Sequence, residues 1–294
     1  MRAARIIVNP TAGNGKALKL FHALKPYLAS EDVEICQTEQ PGHATQLARE
    51  VANESDLTVV SLGGDGTHHE VINGLMPEGK AIFAILPAGT GNDFVRALDY
   101  PHTPREMLEV ALHGPLRMLD LGQVNGQFFL TVSGVGFDAE VAGWVNQHEK
   151  HGSGTWIFLR AILRHLVSYR AQPMTVHAAG ASREEKTFML ALGNTAQYAG
   201  GMRICPDARP DDGMFQVIWV KDLTRLSVLP LLARVFRGTH VRHPRVETFP
   251  ADQLRVEGPD TLWVHADGEI VGHLPATFQV KPKAIRVRTG PVPS

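Results

Sequence analysis

Cysteine is nearly missing from this chain: Cys36 and Cys205 are the only two in 294 residues, and neither sits in a Cys-x-x-Cys pair. A disulfide framework is thereby excluded, and a reduced compartment, the cytoplasm, is the expected setting. An excess of charge of one sign is missing too. The 29 basic residues are offset by 30 acidic ones, for a formal charge of −1. That balance excludes the strongly cationic surface of a protein that coats nucleic acid. No uncharged apolar run reaches the ~18 residues that a membrane-spanning helix needs. The opening MRAARIIVNP has only a short apolar run before Asn9 and Pro10, so a mature start is expected rather than a signal peptide. The fourteen histidines contain no His-Glu-x-x-His pattern and are assigned no metal. Internal repeats and low-complexity segments are absent as well.

What is present is an ordinary globular composition, 44% hydrophobic and 20% charged, which excludes wholesale disorder. At roughly 150 residues per domain the length suits about two domains. Short apolar runs at 5–8, 33–36, 57–62 and 81–86 have the length and branched content of buried strands. Helix-like stretches at 16–28, 43–53, 67–75 and 92–98 separate or follow them. This alternation predicts an α/β domain with a parallel sheet covered on both faces. From about residue 117 the pattern becomes antiparallel, with strand-like runs at 127–133, 187–193, 215–220, 253–257, 261–265 and 277–288. Helices near 154–169 and 224–237 interrupt them, the second with Pro230 as an expected kink. The prediction is therefore an α/β domain over 1–118 and a second, β-rich domain over 119–294, with a boundary near Leu119 and a C-terminal tail free to return to the first domain.

In an open α/β sheet ligands collect beyond the carboxyl ends of the strands. Each predicted strand here runs into a loop of small or polar residues, namely NPTAGNG, QTEQPG, GGDGTH and PAGTGND. The strongest is Gly63-Gly64-Asp65-Gly66-Thr67. Its glycines can turn with positive φ and leave amides facing phosphate oxygens, and the following helix adds its positive dipole end. Asp65 would repel a phosphate unless a divalent cation or a catalytic partner lay between them, which favours magnesium–phosphate chemistry over a plain anion nest. A tight turn with an aspartate cap is the competing reading. The loops Asn9–Gly13 and Pro87–Asp93 end strands at the same edge, and three unrelated turns there are harder to explain than one site. The P-loop pattern fails, because Ala17 follows Gly15-Lys16 and Pro10 stands where its first glycine belongs. Gly134-Val135-Gly136-Phe137-Asp138-Ala139 matches Gly-x-Gly-x-x-Ala, but the ribose-binding acid expected about 20 residues later is missing, so this segment reads as a structural turn.

Taken together, NPTAG, GGDGT and PAGTGNDF resemble the diacylglycerol kinase catalytic family, which includes bacterial soluble lipid kinases and, more distantly, sphingosine and ceramide kinases. The likeness continues in the family's order through Asp120-Leu121-Gly122, Gly134–Asp138, Leu192-Gly193-Asn194, Asp211-Asp212-Gly213 and Asp267-Gly268-Glu269, over nearly the whole chain. GGDGT alone is shared with NAD kinases and, loosely, phosphofructokinases. PAGTGNDF and the late Asp-Gly-Glu point to lipid kinases.

The resemblance implies an ATP-binding α/β domain, a β-sandwich-like domain, and catalysis in the cleft between them. It places ATP at Asn9, Pro10, Thr11, Ala12, Gly13, Thr38, Gly64, Asp65, Gly66, Thr67, His68, His69, Glu70 and Thr90, with Thr38 resting on its position after the second strand. His68-His69 departs from the Leu-Asn that the family usually has before Glu70, and these histidines read as local packing rather than ligands. A structural Mg2+ is implied at the Asp212 side chain and the main-chain oxygens of Arg209 and Met214, with Asp120 linked to it through water. Without the resemblance, Asp-Asp-Gly reads simply as a turn.

Phosphoryl transfer to a hydroxyl needs a triphosphate cradle, a divalent cation and a carboxylate to take the proton. Glu269 is the candidate base. On a strand, Asp267 would share its face, and crowded like charges would raise one pKa. A lone Asp-Gly-Glu reads instead as a solvated hairpin turn; the resemblance makes Glu269 the base, with Asp267 and Asp65 supporting it. On the acceptor side, the helix near 154–169 carries Trp156, Ile157, Phe158, Leu159, Ile162, Leu163, Leu166 and Val167, with Arg160 and Arg164 on one face. Core burial explains this arc better than membrane contact. The basic segment 234–245 fits either anionic headgroups or a solvated loop.

The expected activity is transfer of the γ-phosphate of ATP to a lipid hydroxyl, most simply of diacylglycerol, by a protein peripheral at the membrane surface. A kinase of another acceptor (phosphatidylglycerol, a sphingoid base or NAD) and a non-catalytic regulator are the alternatives. The sequence does not fix the lipid or the oligomeric state, a homodimer being allowed.

Overall fold

The structure is a computed structural model in which residues 3–148 and 154–291 are described. The side chains at 147, 148, 154–158, 225 and 226 fall outside the described residues, and with them Trp156, Ile157 and Phe158 of the apolar arc. The chain divides into two compact units, Met1–Leu119 with Lys283–Ser294, and Asp120–Pro282.

The first unit contains β1 (Ala4–Val8), α1 (Ala12–Leu28), β2 (Val33–Gln37), α2 (His43–Arg49), β3 (Thr58–Gly63), α3 (Asp65–Leu75), β4 (Ile82–Pro87) and α4 (Pro104–His113). β5 (Leu116–Val124) leads out of it. β4, β3, β1 and β2 lie side by side, all parallel. Every residue of β3 is buried, which is possible only because helices cover both faces of a parallel sheet. On one face Ile6, Val8, Val60, Leu62, Ala84 and Leu86 pack with Phe21 and Leu24 of α1 and with Leu108 and Leu112 of α4.

The helix predicted at 92–98 is reduced to a single short turn over 95–97, and α4 lies outside the predicted elements. Its sequence signal is nevertheless plain. Thr103 caps it, with Pro104 following and Glu106 at the third helical position, and the Thr103 hydroxyl accepts from the Glu106 amide at 3.4 Å.

The second unit contains β6 (Gln127–Phe129), β7 (Val132–Gly136), α5 (Phe137–His148), α6 (Gly154–Leu166), β8 (Gln172–Ala178), β9 (Ala181–Gly193), β10 (Phe215–Lys221), α7 (Arg225–Val235), β11 (Val246–Ala251), β12 (Gln253–Glu257), β13 (Trp263–Ala266), β14 (Glu269–His273) and most of β15 (Ala276–Arg288). Its strands are antiparallel, in the order β14, β13, β7, β9, β8, β12, β15, with β10 and β11 continuing from β9. The expected run 127–133 is two strands, and the Gly134–Ala139 motif is the end of β7 turning into α5 through Gly136 at φ 96°. Along β10, Phe215, Val217 and Trp219 enter one apolar cluster while Ile218 and Val220 enter another, the two-residue alternation of a strand covered on both faces. The last residues of β15 belong to the first unit, where Arg286 and Val287 pair in parallel with Ile82 and Phe83 of β4.

The apolar arc of α6 is divided. Ala161, Ile162 and Leu166 join the core, while Leu163 and, just past the helix, Val167 are 47% and 67% exposed.

Across β9, β10 and β11, Glu247 receives Arg183 at 2.8 Å and Lys221 at 3.3 Å. The hydrogen bonds from Arg183 are the main reason its carboxyl falls from the ordinary 4.5 to about 2. A depressed carboxylate stabilises the fold above its unfolded value and ceases to as pH drops through the folded one. The melting-temperature gap between wild type and Arg183→Gln should therefore be small, because the pair is solvent-screened, and should close as pH falls from 4.5 to about 2. A gap constant across that range would show that the pair does not act through charge.

Candidate active site

The four parallel strands end in register, and the backbone brings the loops beyond them into direct contact. Gly13, Asn14 and Gly15 interrupt the start of α1 with φ of 59°, 57° and 82°. A Cβ on Gly13 would drive into the Ala88 carbonyl, so the first loop is packed onto the fourth. A Cβ on Gly64 would lie 3.2 Å from the Gly89 Cα, so the third loop meets the fourth as well. Asp65 fastens that contact, accepting the amides of Asn92 at 2.9 Å and Asp93 at 3.0 Å on its two carboxylate oxygens. Asn9 links the first loop to the third by donating its side-chain amide to the Thr67 hydroxyl at 3.0 Å, and its oxygen accepts the Thr11 hydroxyl at 2.9 Å. Within this unit the loops after β1, β3 and β4 thus form one constellation of close main-chain turns at the N-terminus of α3.

A cavity of about 200 Å³ opens beside them, lined by Asn9, Thr11, Thr38 and Glu70 with Glu39, Gln40, Pro41 and Ala44. The Thr38 amide donates to the Val8 carbonyl at 2.9 Å, which holds the second loop against the first. Glu70 reaches across from α3 to the N-terminus of α2 and accepts the amides of Gly42 at 2.9 Å and Ala44 at 3.2 Å. α2 has no side-chain cap of its own, so Glu70 supplies one from outside. Both α3 histidines are buried. His68 Nδ1 is 2.8 Å from the Ser61 hydroxyl, and His69 Nε2 is 3.3 Å from the Asn73 side-chain amide. Thr90 is exposed at the tip of the fourth loop.

In the second unit the geometry expected of Asp267 and Glu269 is overturned. They do not lie on one strand. Ala266 pairs with Glu269, and Asp267 and Gly268 are the two central residues of the turn between β13 and β14, at φ 52° and 87°. Two consecutive left-handed residues in a two-residue loop are the tight hairpin that Asp-Gly favours. Asp267 therefore points back into the unit. Its carboxylate accepts the amides of Leu130 and Thr131 at 2.8 Å each and the Thr131 hydroxyl at 2.6 Å. Glu269 is exposed at the first position of β14. Its Oε2 lies 3.2 Å from the side-chain amide of Asn146, which also donates to the Gly268 carbonyl at 2.9 Å. No sequence pattern marks Asn146, because α5 has no polar cap at its start and a single asparagine carries no signal.

Asp211-Asp212-Gly213 forms a turn, with Gly213 at φ 77°. Asp212 Oδ1 accepts the Met214 amide at 3.0 Å, Asp120 Oδ2 accepts the Gly213 amide at 2.7 Å, and Arg209 is 3.3 Å from Asp211. Among the described residues no group of three or more His, Cys, Asp or Glu side chains could hold a metal ion. A cation at this turn would rest on one carboxylate, main-chain oxygens and water, a donor set that suits magnesium.

Residues 3–124 match the profile of the diacylglycerol kinase catalytic domain, and residues 131–289 match that of the YegS C-terminal NAD kinase beta sandwich-like domain. A diacylglycerol kinase of Bacillus subtilis (strain 168) is 30% identical over 285 residues, covering 95% of this chain and 93% of that protein. The chain belongs to the diacylglycerol kinase family. A diacylglycerol kinase of Staphylococcus aureus (strain bovine RF122 / ET3-1) is also 30% identical, over 94% of this chain and 89% of its own. A crystal structure of a candidate diacylglycerol kinase from Bacillus anthracis str. Sterne superposes with a TM-score of 0.84 at 25% identity, covering 99% of this chain and 96% of that one. Membership makes this protein a diacylglycerol kinase-like lipid kinase, a transferase of lipid metabolism. The expected α/β unit and β-sandwich-like unit are the family's fold. Among the described residues no helix is long and apolar enough to cross a membrane.

The loop contacts can be tested by glycine substitution. Gly13→Ala meets both a positive φ and the Ala88 carbonyl, whereas Gly15→Ala has the positive φ and no atom within 4 Å. The first should cost about 2–3 kcal/mol of stability and the second about 1 kcal/mol, measured by urea unfolding. Equal losses would mean that the first and fourth loops are not packed together.

Proposed function

We propose that this protein transfers the γ-phosphate of ATP to the hydroxyl of diacylglycerol, giving phosphatidic acid. The observation that carries the reading is the constellation of turns at the N-terminus of α3, where Gly13, Gly64 and Gly89 let main chains approach and a cavity adjoins them. Close turns at a helix N-terminus suit a polyphosphate, because amides and the helix dipole both present positive charge there. In this reading Asn9, Pro10, Thr11, Ala12, Gly13, Gly64, Gly66, Thr67 and Thr90 border the nucleotide, and Thr38 and Glu70 line its cavity. Asp65, His68 and His69 act one layer behind, fixing the loops and α3. A bound Mg2+ would neutralise charge on the phosphates, and a second one at Asp212, Arg209 and Met214 would brace the turn next to Asp120.

Glu269 is the proton acceptor in this proposal. The lipid O–H gives its proton to the Glu269 carboxylate, the oxygen forms the new bond to the γ-phosphorus, and the bond to the β,γ-bridging oxygen breaks as ADP leaves. Exposure of Glu269 beside the turn of a hairpin suits a group that must reach a bulky acceptor. Asp267, with three donors on its carboxylate, supports Glu269 by fixing the turn. Membrane contact of a peripheral, cytoplasmic enzyme is supported by exposed Leu163 on the helix that carries Arg160 and Arg164 and by exposed Val167 just after it, since apolar tips beside cations suit an anionic lipid surface. A homodimer is compatible with this reading.

A second reading, another acceptor, has support in the NAD kinase resemblance of the C-terminal profile. Labelled ATP offered with diacylglycerol, phosphatidylglycerol, a sphingoid base and NAD separates the two. Diacylglycerol should take the label, and Glu269→Gln should lower kcat by about 100-fold or more while nucleotide binding by calorimetry is retained. Label on NAD alone would replace the proposal, and a wild-type rate for Glu269→Gln would remove Glu269 as base.

A further inference from the structure

Beneath the Asp267-Gly268 turn lies a buried acid–imidazole pair that the kinase reading leaves without a role. His265 Nε2 is 3.1 Å from Asp138 Oδ2, with the side chains 1% and 3% exposed. The other ring nitrogen, Nδ1, is 3.3 Å from the Gly268 amide, which is the donor. A main-chain N–H can only donate, so Nδ1 carries no proton, and the proton of the neutral ring sits on Nε2, directed at the Asp138 carboxylate. The imidazole ring also stacks on Tyr198 with centroids 6.4 Å apart, and the main-chain carbonyl of His265 accepts the Ser133 hydroxyl.

The Gly-x-Gly motif that fails as a dinucleotide site explains how Asp138 gets there. Gly134 pairs with His265 across β7 and β13, and a Cβ on Gly134 would collide with Asp138 Oδ2. Only glycine lets the Asp138 side chain, rising from the first turn of α5, cross over β7 to the imidazole. Asp138 Oδ1 meanwhile accepts the amide of Ala139 at 2.9 Å, which sets which oxygen faces His265.

The Gly268 residue is thus held at both of its polar atoms, the N–H by His265 and the C=O by Asn146, at the position immediately before Glu269. We propose that Asp138 and His265 are positioning residues for Glu269. Asp138 selects the Nε2–H tautomer, the bare Nδ1 holds the Gly268 amide, and the hairpin tip that presents the Glu269 carboxylate is thereby set. This inference rests on Glu269 being the base.

Asp138→Asn tests it with little change of shape. The carbonyl oxygen of the substituted side chain keeps the Ala139 amide, so its NH2 faces Nε2 and must donate, which moves the ring proton to Nδ1 and sets two N–H groups against each other at Gly268. With 15N-labelled histidine, the His265 Nδ1 resonance, identified by its absence in His265→Asn, should be of the unprotonated type in wild type and of the protonated type in Asp138→Asn. The kcat should fall about 10- to 100-fold with the KM for ATP nearly unchanged. His265→Asn places an oxygen where Nδ1 was and should keep more kcat than His265→Gln, which retains only the link to Asp138. In the His265→Asn background, Asp138→Asn should have no further effect on kcat. An unprotonated Nδ1 or a wild-type kcat in Asp138→Asn, or His265→Gln outperforming His265→Asn, would overturn the inference; the pair of His265 variants decides it if Asp138→Asn fails to fold. Activity retained in Glu269→Gln would instead refute the base, leaving the tautomer result intact. An inactive Glu269→Gln beside a fully active Asp138→Asn would refute the positioning role alone.

Discussion

Main-chain amides in loops need acceptors, and in this protein carboxylates supply them. Asp65 takes the amides of Asn92 and Asp93, Glu70 those of Gly42 and Ala44, Asp267 those of Leu130 and Thr131, Asp120 that of Gly213 and Asp212 that of Met214. All of these acids except Glu70 belong to motifs by which the family resemblance is recognised. A charged acceptor on an N–H is worth about 1.5–3 kcal/mol, and the amide left without one costs about 1–3 kcal/mol. Loops that must hold an irregular shape next to a ligand cannot satisfy their amides in a helix or a sheet, so the acids in their motifs do it. Acidic motif residues here are therefore first of all the framework of the turns.

That constraint separates Glu269 from its neighbours in the chain. Two residues earlier, Asp267 is drawn inward by two amides and a hydroxyl, while Glu269 begins a strand on the far side of a left-handed turn and meets a side-chain amide, that of Asn146. A carboxylate drawn inward by main-chain amides frames the turn, whereas an exposed one can be reached by the hydroxyl of a bulky acceptor. The difference between the roles proposed for the two acids follows from the turn geometry rather than from their crowding. The premise that like charges on one strand face tune the base falls away with it.

Much of this was legible in the sequence, for identifiable reasons. The two central strands, β3 and β4, are nearly continuous apolar runs, and burial on both faces is the one environment that tolerates them, so both their existence and the carboxyl-end location of the loops could be read. The convergence of those loops followed from the strands being parallel and in register. The second unit was less readable. Half-exposed antiparallel strands such as β8 and β14 alternate over too few residues to stand out. α5 begins directly out of a buried strand through Gly136, so no polar cap marks its start. α4 is different, because its Thr-Pro-x-Glu start is a strong signal that the residues do carry and that strand–helix alternation alone passes over. Asp-Gly before Glu269 likewise announces a hairpin turn by its own chemistry, and the turn prevails over the strand extrapolation because only left-handed backbone closes a two-residue loop.

Partners that lie far apart in sequence define what no motif could show. Asp138 and His265 are separated by 127 positions, and each in isolation has an ordinary structural explanation, an aspartate in the first turn of a helix and a core histidine. Their meaning comes from the glycine that allows one to reach the other and from the amide on the opposite side of the ring. A buried ion pair alone would be weak grounds for a role, since desolvation offsets most of its attraction. Here the neutral tautomer avoids a second buried charge, and the direction of the proton is imposed from both ends, by an amide that cannot accept and a carboxylate that cannot donate. Such a pair does little for stability that an apolar core would not do as well. What an apolar core could not do is hold the Gly268 N–H, and that amide sits one residue before Glu269, the proposed base.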